Sequence, residues 1–227
     1  MPIPKIYQKP LGPAIASYDY TDVAEGTGVI GFKGSRGDAS GGIIYSLGTQ
    51  NIYSSEVATQ TTNFTSGGSA WNLIQTINFD LTVFNTPRTI KGTAVIEGSF
   101  GVWNAGVHGH SCYIIFDIQH YDGISTYTTL GSASTETLTV STSGPVWKIK
   151  SFVINKTLIQ KHFKKGDVLR IATNIYGKHN GTPDPTDGKA LLGHDPNNRD
   201  YASGATIVTA ATNHTTLNFY IPFKLDL

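Results

Sequence analysis

An all-β fold is what this sequence predicts: an antiparallel β-sandwich of jelly-roll type, with about eight strands and an extended N-terminal arm. Three observations carry that reading. Charged residues make up only 15% of the 227, Gly reaches 25 and Thr is commoner still, a mixture poor in strong helix formers and rich in residues that suit strands and turns. Short apolar runs alternate with polar residues at a period of two and are separated by turn signals. Strand and helix patterns do not alternate, which removes the parallel α/β classes. With 39% hydrophobic residues in 24.4 kDa, the chain can fill a core.

Residues 1 to 25 carry Pro2, Pro4, Pro10 and Pro13, each of which fixes its own φ and extends the residue before it. This segment reads as an arm. Its apolar members Ile3, Ile6, Tyr7, Leu11, Ile15 and Tyr18 keep no period. They are assigned as contacts to a neighbouring subunit, where buried area would offset the ordering entropy. Residues 26 to 227 are read as one sandwich domain. Gly26 to Gly48 is dense in glycine and is expected to form turns and a loop tip.

From residue 72 the alternation sharpens, with Leu73, Ile77, Phe79, Leu81 and Val83 on one parity, as in a half-buried strand. Thr89 to Trp103 alternates through Ile90, Ala94 and Ile96, and Gly98 and Gly101 suggest a bulge near its end. Ser111 to Tyr121 is apolar on both parities, as expected of a strand inside a sheet. The Thr- and Ser-rich stretch 125 to 143 is expected as exposed strand, or as two strands joined near Gly131. Val146 to Asn155 and Val168 to Tyr176 are further strands. Lys156 to Phe163 between them is expected as a helical turn or wide corner.

Residues 177 to 204 contain eight Gly or Pro and read as a loop too long for a passive connection. Thr206 to Thr212 and Thr215 to Leu227 close the domain. Leu217, Phe219, Ile221, Phe223, Leu225 and Leu227 share one parity, and burying six such side chains contributes on the order of 10 kcal/mol. Pro222 cannot donate to a ladder, which places it at an edge or a bulge.

Seventeen basic against sixteen acidic residues give a net charge of +1, no field to hold a nucleic acid. No long apolar run suggests a membrane span, and Met1 to Lys5 does not open a signal peptide. The single cysteine, Cys112, excludes an internal disulfide and reads as a small buried hydrophobe.

His108-Gly109-His110 has metal-ligand spacing, but Ile114 and Ile115 fill the places where a cupin-type Glu would stand; a turn role is expected. The segment Lys178 to Gly188, continuing to His194-Asp195 and Arg199-Asp200, gathers oxygen ligands suited to calcium without EF-hand spacing. Asp-Pro and Asp-Gly are equally ordinary turn formers. Arg36-Gly37-Asp38 matches the integrin-recognition tripeptide, and sequons stand at Asn63, Asn155, Asn180 and Asn213; both follow from composition. There is no G-x-S-x-G elbow, and Glu25, Glu56, Glu97 and Glu136 form no carboxylate pair. No enzyme, cofactor or metal is expected. Trp71, Trp103 and Trp147 with Tyr113, Tyr121 and Tyr127 are candidates for a sugar-stacking platform, which gives a carbohydrate-binding module or lectin as the alternative function.

The proline-bearing arm from Met1, Ala16-Ser17-Tyr18-Asp19-Tyr20, Lys165-Gly166-Asp167 leading into a strand, and the closing run Leu217 to Asp226 together resemble jelly-roll virion proteins. The likeness is to capsid, capsid-decorating and turret-type proteins of phages and other microbial viruses. The resemblance implies a homo-oligomeric shell or surface component of a virion, with its arm on neighbouring subunits and other virion proteins as partners. It brings no catalytic residues.

Overall fold

The computed structural model describes residues 16–17, 27–64, 70–104, 109–141, 146–180, 188–201 and 214–224. The arm contacts Ile3, Ile6, Tyr7, Leu11, Ile15 and Tyr18, the run 206 to 212, His108, Asn213 and the last three residues lie outside them. Among the described residues there are thirteen strands and no α-helix: β1 (Ala16–Ser17), β2 (Thr27–Ala39), β3 (Gly42–Gly48), β4 (Ala58–Gln60), β5 (Asn72–Asp80), β6 (Arg88–Asn104), β7 (His110–Tyr121), β8 (Tyr127–Ser134), β9 (Leu138–Val140), β10 (Val146–Phe163), β11 (Val168–His179), β12 (Gly188–Gly193) and β13 (Asn218–Lys224). The all-β expectation stands.

Hydrogen bonding runs in the order β4-β12-β6-β13-β2-β3-β5-β11-β7-β8, with β1 on β2, β10 on β6 and β9 on β7. The pairings are antiparallel except for one parallel bridge, Ser46 to Asp80, between β3 and β5. Thirteen strands in a mixed sheet replace the eight antiparallel strands expected, because short strands and that bridge extend the order. The sheet turns back on itself. Phe219 of β13 meets Phe79 of β5 at 6.2 Å and Phe116 of β7 at 6.0 Å, and Phe116 also meets Phe152 of β10 at 5.4 Å. Strands distant in the order thus share one core with Ile77, Ile96, Ile114 and Ile171, where apolar burial supplies the main favourable term.

Strand β6 is the spine. It pairs with β10 from Arg88 to Asn104 on one edge and with β12 and β13 on the other. This corrects the expected helical turn at 156 to 163: those residues continue β10, and a register shift between Leu158 and Lys161 absorbs the irregularity. A full-length partner satisfies each backbone group in turn, which outweighs local preference. The expected bulge at Gly98 and Gly101 is likewise absent, since both stay in register with β10. β10 has β6 as its only ladder partner among the described residues. Along its free side, Lys150 bridges to Glu136 and Lys148 Nζ donates to the Thr139 carbonyl at 3.0 Å.

Within the glycine-rich stretch 26 to 48, residues 27 to 48 form a long β2–β3 hairpin and not a string of turns. Gly34 is small for a packing reason: a Cβ there would stand 3.0 Å from the Phe79 ring. Residues 125 to 143 give two strands on β7, separated at Thr135 to Thr137 and not at Gly131. The expected loop from 177 to 204 is shortened by the end of β11 and by β12. On β5 and β11 a register shift at Ile175/Tyr176 turns Ile74 toward the core and leaves Leu73 52% exposed.

The alternation of the closing strand is as expected, with Leu217, Phe219, Ile221 and Phe223 buried. Pro222 lies in an interior strand, at a register shift between Tyr220 and Phe223 against β6, so its missing N–H falls where the ladder is interrupted. Gly92 sits beside it with φ +123, and a Cβ there would stand 3.1 Å from Pro222 Cβ. Gly92→Ala combines left-handed strain with a clash and should cost about 2 kcal/mol, lowering the urea midpoint. Gly41→Ala, with nothing within 4 Å, should leave it nearly unchanged; equal midpoints would remove Pro222 and Gly92 as a coupled pair.

Candidate functional site

Antiparallel pairing brings several strand ends to one end of the molecule. Asn104 of β6 is paired with Val146 and Gly188, and His110 of β7 with Val140 and His179. Gly177 of β11 is paired with Asn72 at the start of β5. The three tryptophans of the chain are all at this end, because each lies at or beside such a strand end.

On one outer face, Tyr176 is directly opposite Tyr113 across the β11–β7 ladder and opposite Leu73 on β5. The two tyrosine rings are stacked at 5.0 Å and 3°. Trp71 meets Tyr113 edge-on at 4.6 Å, and Lys178 Nζ lies 4.8 Å from the Trp71 ring centre, within cation–π range. Burial, followed by the neighbouring Tyr176, raises the Tyr113 phenol above its usual pKa, so it remains a neutral donor. Further along the same strands, Thr76 Oγ1 donates to Asn174 Oδ1 at 2.8 Å, and Asn174 Nδ2 donates to Asp117 Oδ2 at 2.9 Å. Arg170 ends this face, bidentate to Asp80 at 2.7 and 2.8 Å and 4.0 Å above the Tyr121 ring.

The opposite half repeats the device. Lys189, Trp103 and Trp147 share one register across β12, β6 and β10. The indoles are 6.1 Å apart at 28°, and Lys189 Nζ is 5.5 Å from the Trp103 ring centre. Beneath this end lie buried Phe64, His110 and His179, with the imidazoles 4.5 Å apart.

The predicted platform is therefore divided. Trp71 with Tyr113 and Trp103 with Trp147 come together on two faces, whereas Tyr121 is at the far end, paired with Tyr127. Tyr176, Lys178 and Lys189 were not anticipated, although Arg170, Asn174, Tyr176 and Lys178 share the outward parity of β11.

Other candidates resolve into structural roles. Arg36 Nε and Asp38 Oδ1 pair with each other at 3.3 Å on β2. Asp195 is fully buried and accepts from Arg199 Nε and Arg199 N, both at 2.8 Å, so the carboxylate of this calcium candidate is engaged by Arg199. Among the described residues no group of three metal-ligating side chains exists. Burial raises the Cys112 thiol well above its usual pKa, which leaves it without nucleophilic character. His120 Nε2 and Asp167 Oδ2 are 2.7 Å apart. Burial opposes the Asp167 charge, but hydrogen bonds from His120 and the Lys164 N–H outweigh it and lower its pKa. This pair fastens the 164–167 turn to β7.

No protein-family model matches the chain, and no curated protein matches it in sequence. Among solved structures it is similar to an α-amino acid ester hydrolase, at 8% identity and a TM-score of 0.52 over 85% of this chain and 36% of that one. A CocE/NonD-family hydrolase from Staphylococcus aureus matches at 10% identity and 0.47 over the same shares. The infectious bursal disease virus particle matches at 13% identity and 0.26, over 92% of this chain and 61% of that one. The chain thus spans about a third of the hydrolases, and at such identities only the fold is shared. Two expectations are corrected. The virion and capsid role rested on a layout resemblance alone, and the fold likeness, at a TM-score of 0.52, is to a hydrolase. The expectation that the chain is no enzyme is corrected with it: the solved structure whose fold it shares at a TM-score of 0.52 is that of an ester hydrolase.

His194 yields a pH prediction. It is fully buried, shares a 2.9 Å hydrogen bond with Thr59 Oγ1, which in turn shares one of 2.7 Å with Tyr45 OH. Burial lowers its pKa from 6.5 to about 4. Between those values the unfolded chain holds a proton that the folded chain does not, so stability falls as the pH drops through that window, by about 3 kcal/mol in all. Urea melts at pH 7 and pH 4 should show this loss, and His194→Gln should remove most of it. An unchanged slope in that variant would assign the loss elsewhere.

Proposed function

We propose that this chain is the all-β, substrate-holding part of a hydrolytic enzyme, and that ring-bearing groups dock at its tryptophan-bearing end. The strands are read with it as a two-layer, jelly-roll arrangement in which the core joins two half-sheets and the outer faces carry the rings. The observation that carries the proposal is the gathering of Trp71, Trp103 and Trp147 with Lys178 and Lys189 at one end. Rings offer large contact area at low entropy cost, and the lysines add charge for a carboxylate or carbonyl. Support from outside the chain is the fold likeness to an ester hydrolase. A glycan is the second reading, favoured by the Thr76, Asn174 and Asp117 row beside the stacked tyrosines.

The test is a tryptophan-fluorescence titration with phenylglycine methyl ester and, separately, with a soluble oligosaccharide. Saturable quenching by the ester supports the first reading and quenching by the sugar alone the second. Trp71→Ala or Trp103→Ala should weaken it about tenfold, equivalent to ~1.4 kcal/mol, at an unchanged melting temperature. No saturable response to either ligand overturns both readings.

A further inference from the structure

Strands β8 and β10 run beside one another along a seam that no ladder closes among the described residues. At one end the seam is shut by close packing, since a Cβ on Gly131 of β8 would stand 2.8 Å from the Leu158 side chain. At the other end Lys148 Nζ crosses it to the Thr139 carbonyl at 3.0 Å. Between these closures the strands part around a cavity of about 390 Å³, within the size range of small-ligand sites.

Its walls differ in chemistry. Lys150 to Asn155 line it without interruption. Consecutive strand residues point to opposite faces, so the edge of β10 borders the cavity, and alternate residues turn N–H and C=O away from β6 toward it. Phe100 and Phe152 supply an apolar floor, their rings 5.9 Å apart, the first buried and the second half-buried. Opposite them the turn Ser134 to Glu136 is pinned to β7, because Thr135 N donates to the Ile114 carbonyl at 2.9 Å and Ile114 N to Thr135 Oγ1 at 3.0 Å. The mouth carries the Lys150–Glu136 ion pair, exposed on both sides. The hydrogen bond from Lys150, and then its charge, hold the Glu136 carboxyl below its usual pKa, so both groups are ionised at neutral pH. An exposed pair of this kind adds little stability and opens readily.

We infer that this cavity binds a free aromatic α-amino acid, its ring on Phe100 and Phe152, its carboxylate on Lys150 and its ammonium on Glu136. A ligand with one charge would take one member of the pair and strand the other, whereas a zwitterion answers both and leaves the site neutral. The strand edge adds carbonyl acceptors for the ammonium and N–H donors for the carboxylate. Phe116 lies 5.4 Å from Phe152, so an incoming ring joins an existing aromatic cluster. The closures at Gly131 and Thr139 bound the seam, which leaves no run for an extended partner strand. An amino acid ester lacks the carboxylate, so this site is separate from the ester docking at the tryptophans and does not rest on it.

The test is calorimetric titration of the full chain with L-phenylalanine, 3-phenylpropionate, phenethylamine and glycine. L-phenylalanine should give a saturable heat, the two singly charged analogues should bind at least about tenfold more weakly, and glycine, which has no ring, should give none. Glu136→Gln and Lys150→Gln alter exposed side chains, so each should keep the wild-type melting temperature while weakening L-phenylalanine about tenfold. Trp71→Ala should leave that affinity unchanged. No saturable heat with L-phenylalanine, equal affinity for a singly charged analogue, or binding indifferent to both charge variants would each overturn the inference.

Discussion

The continuous ladder along β6 is the constraint on which the rest of this molecule depends. Its seventeen residues hold β10 on one edge and β12 and β13 on the other, so three further strands are indexed to a single one. Because side chains alternate strictly, a one-residue slip would send Ile90, Ala94 and Ile96 to solvent and bring polar neighbours inward. Register is therefore enforced by the core, and core position by register. The local irregularities near Gly92, Leu158 and Pro222 are all at one stretch of this ladder, where three strands accommodate a residue that cannot donate.

The same indexing accounts for the tryptophan-bearing end. Tyr176 and Tyr113 stack because the β11–β7 ladder places them opposite one another, and Trp103 is beside Trp147 and Lys189 because three strands meet in one row. Side chains held by a ladder lose little further freedom when a ligand arrives, which favours binding. The buried imidazoles below them are cross-strand neighbours for the same reason.

Much of the fold was legible in the residues, within limits set by physics. The run from Leu217 to Phe223 was readable because each parity had one environment. Ser111 to Tyr121 was readable as interior because both parities were apolar, and it has β11 on one side with β8 and β9 on the other. Lys156 to Phe163 misled because its composition suits a turn, while its partner strand, remote in sequence, decides its state. Gly26 to Gly48 misled because glycine marks turns and also marks close approach, and only the Phe79 ring distinguishes the two at Gly34. For the site, the residue types were found but not their grouping. Tyr121 and Trp71 look equivalent in sequence, and only pairing registers, one of them shifted at Ile175, sort them to opposite ends. The virion resemblance was a likeness of layout, a property many all-β chains share.

The unpaired margin of β10 is guarded. Along β10, ammonium groups from Lys148 and Lys150 reach across the seam to Thr139 and Glu136, leaving a newcomer's backbone no dry approach.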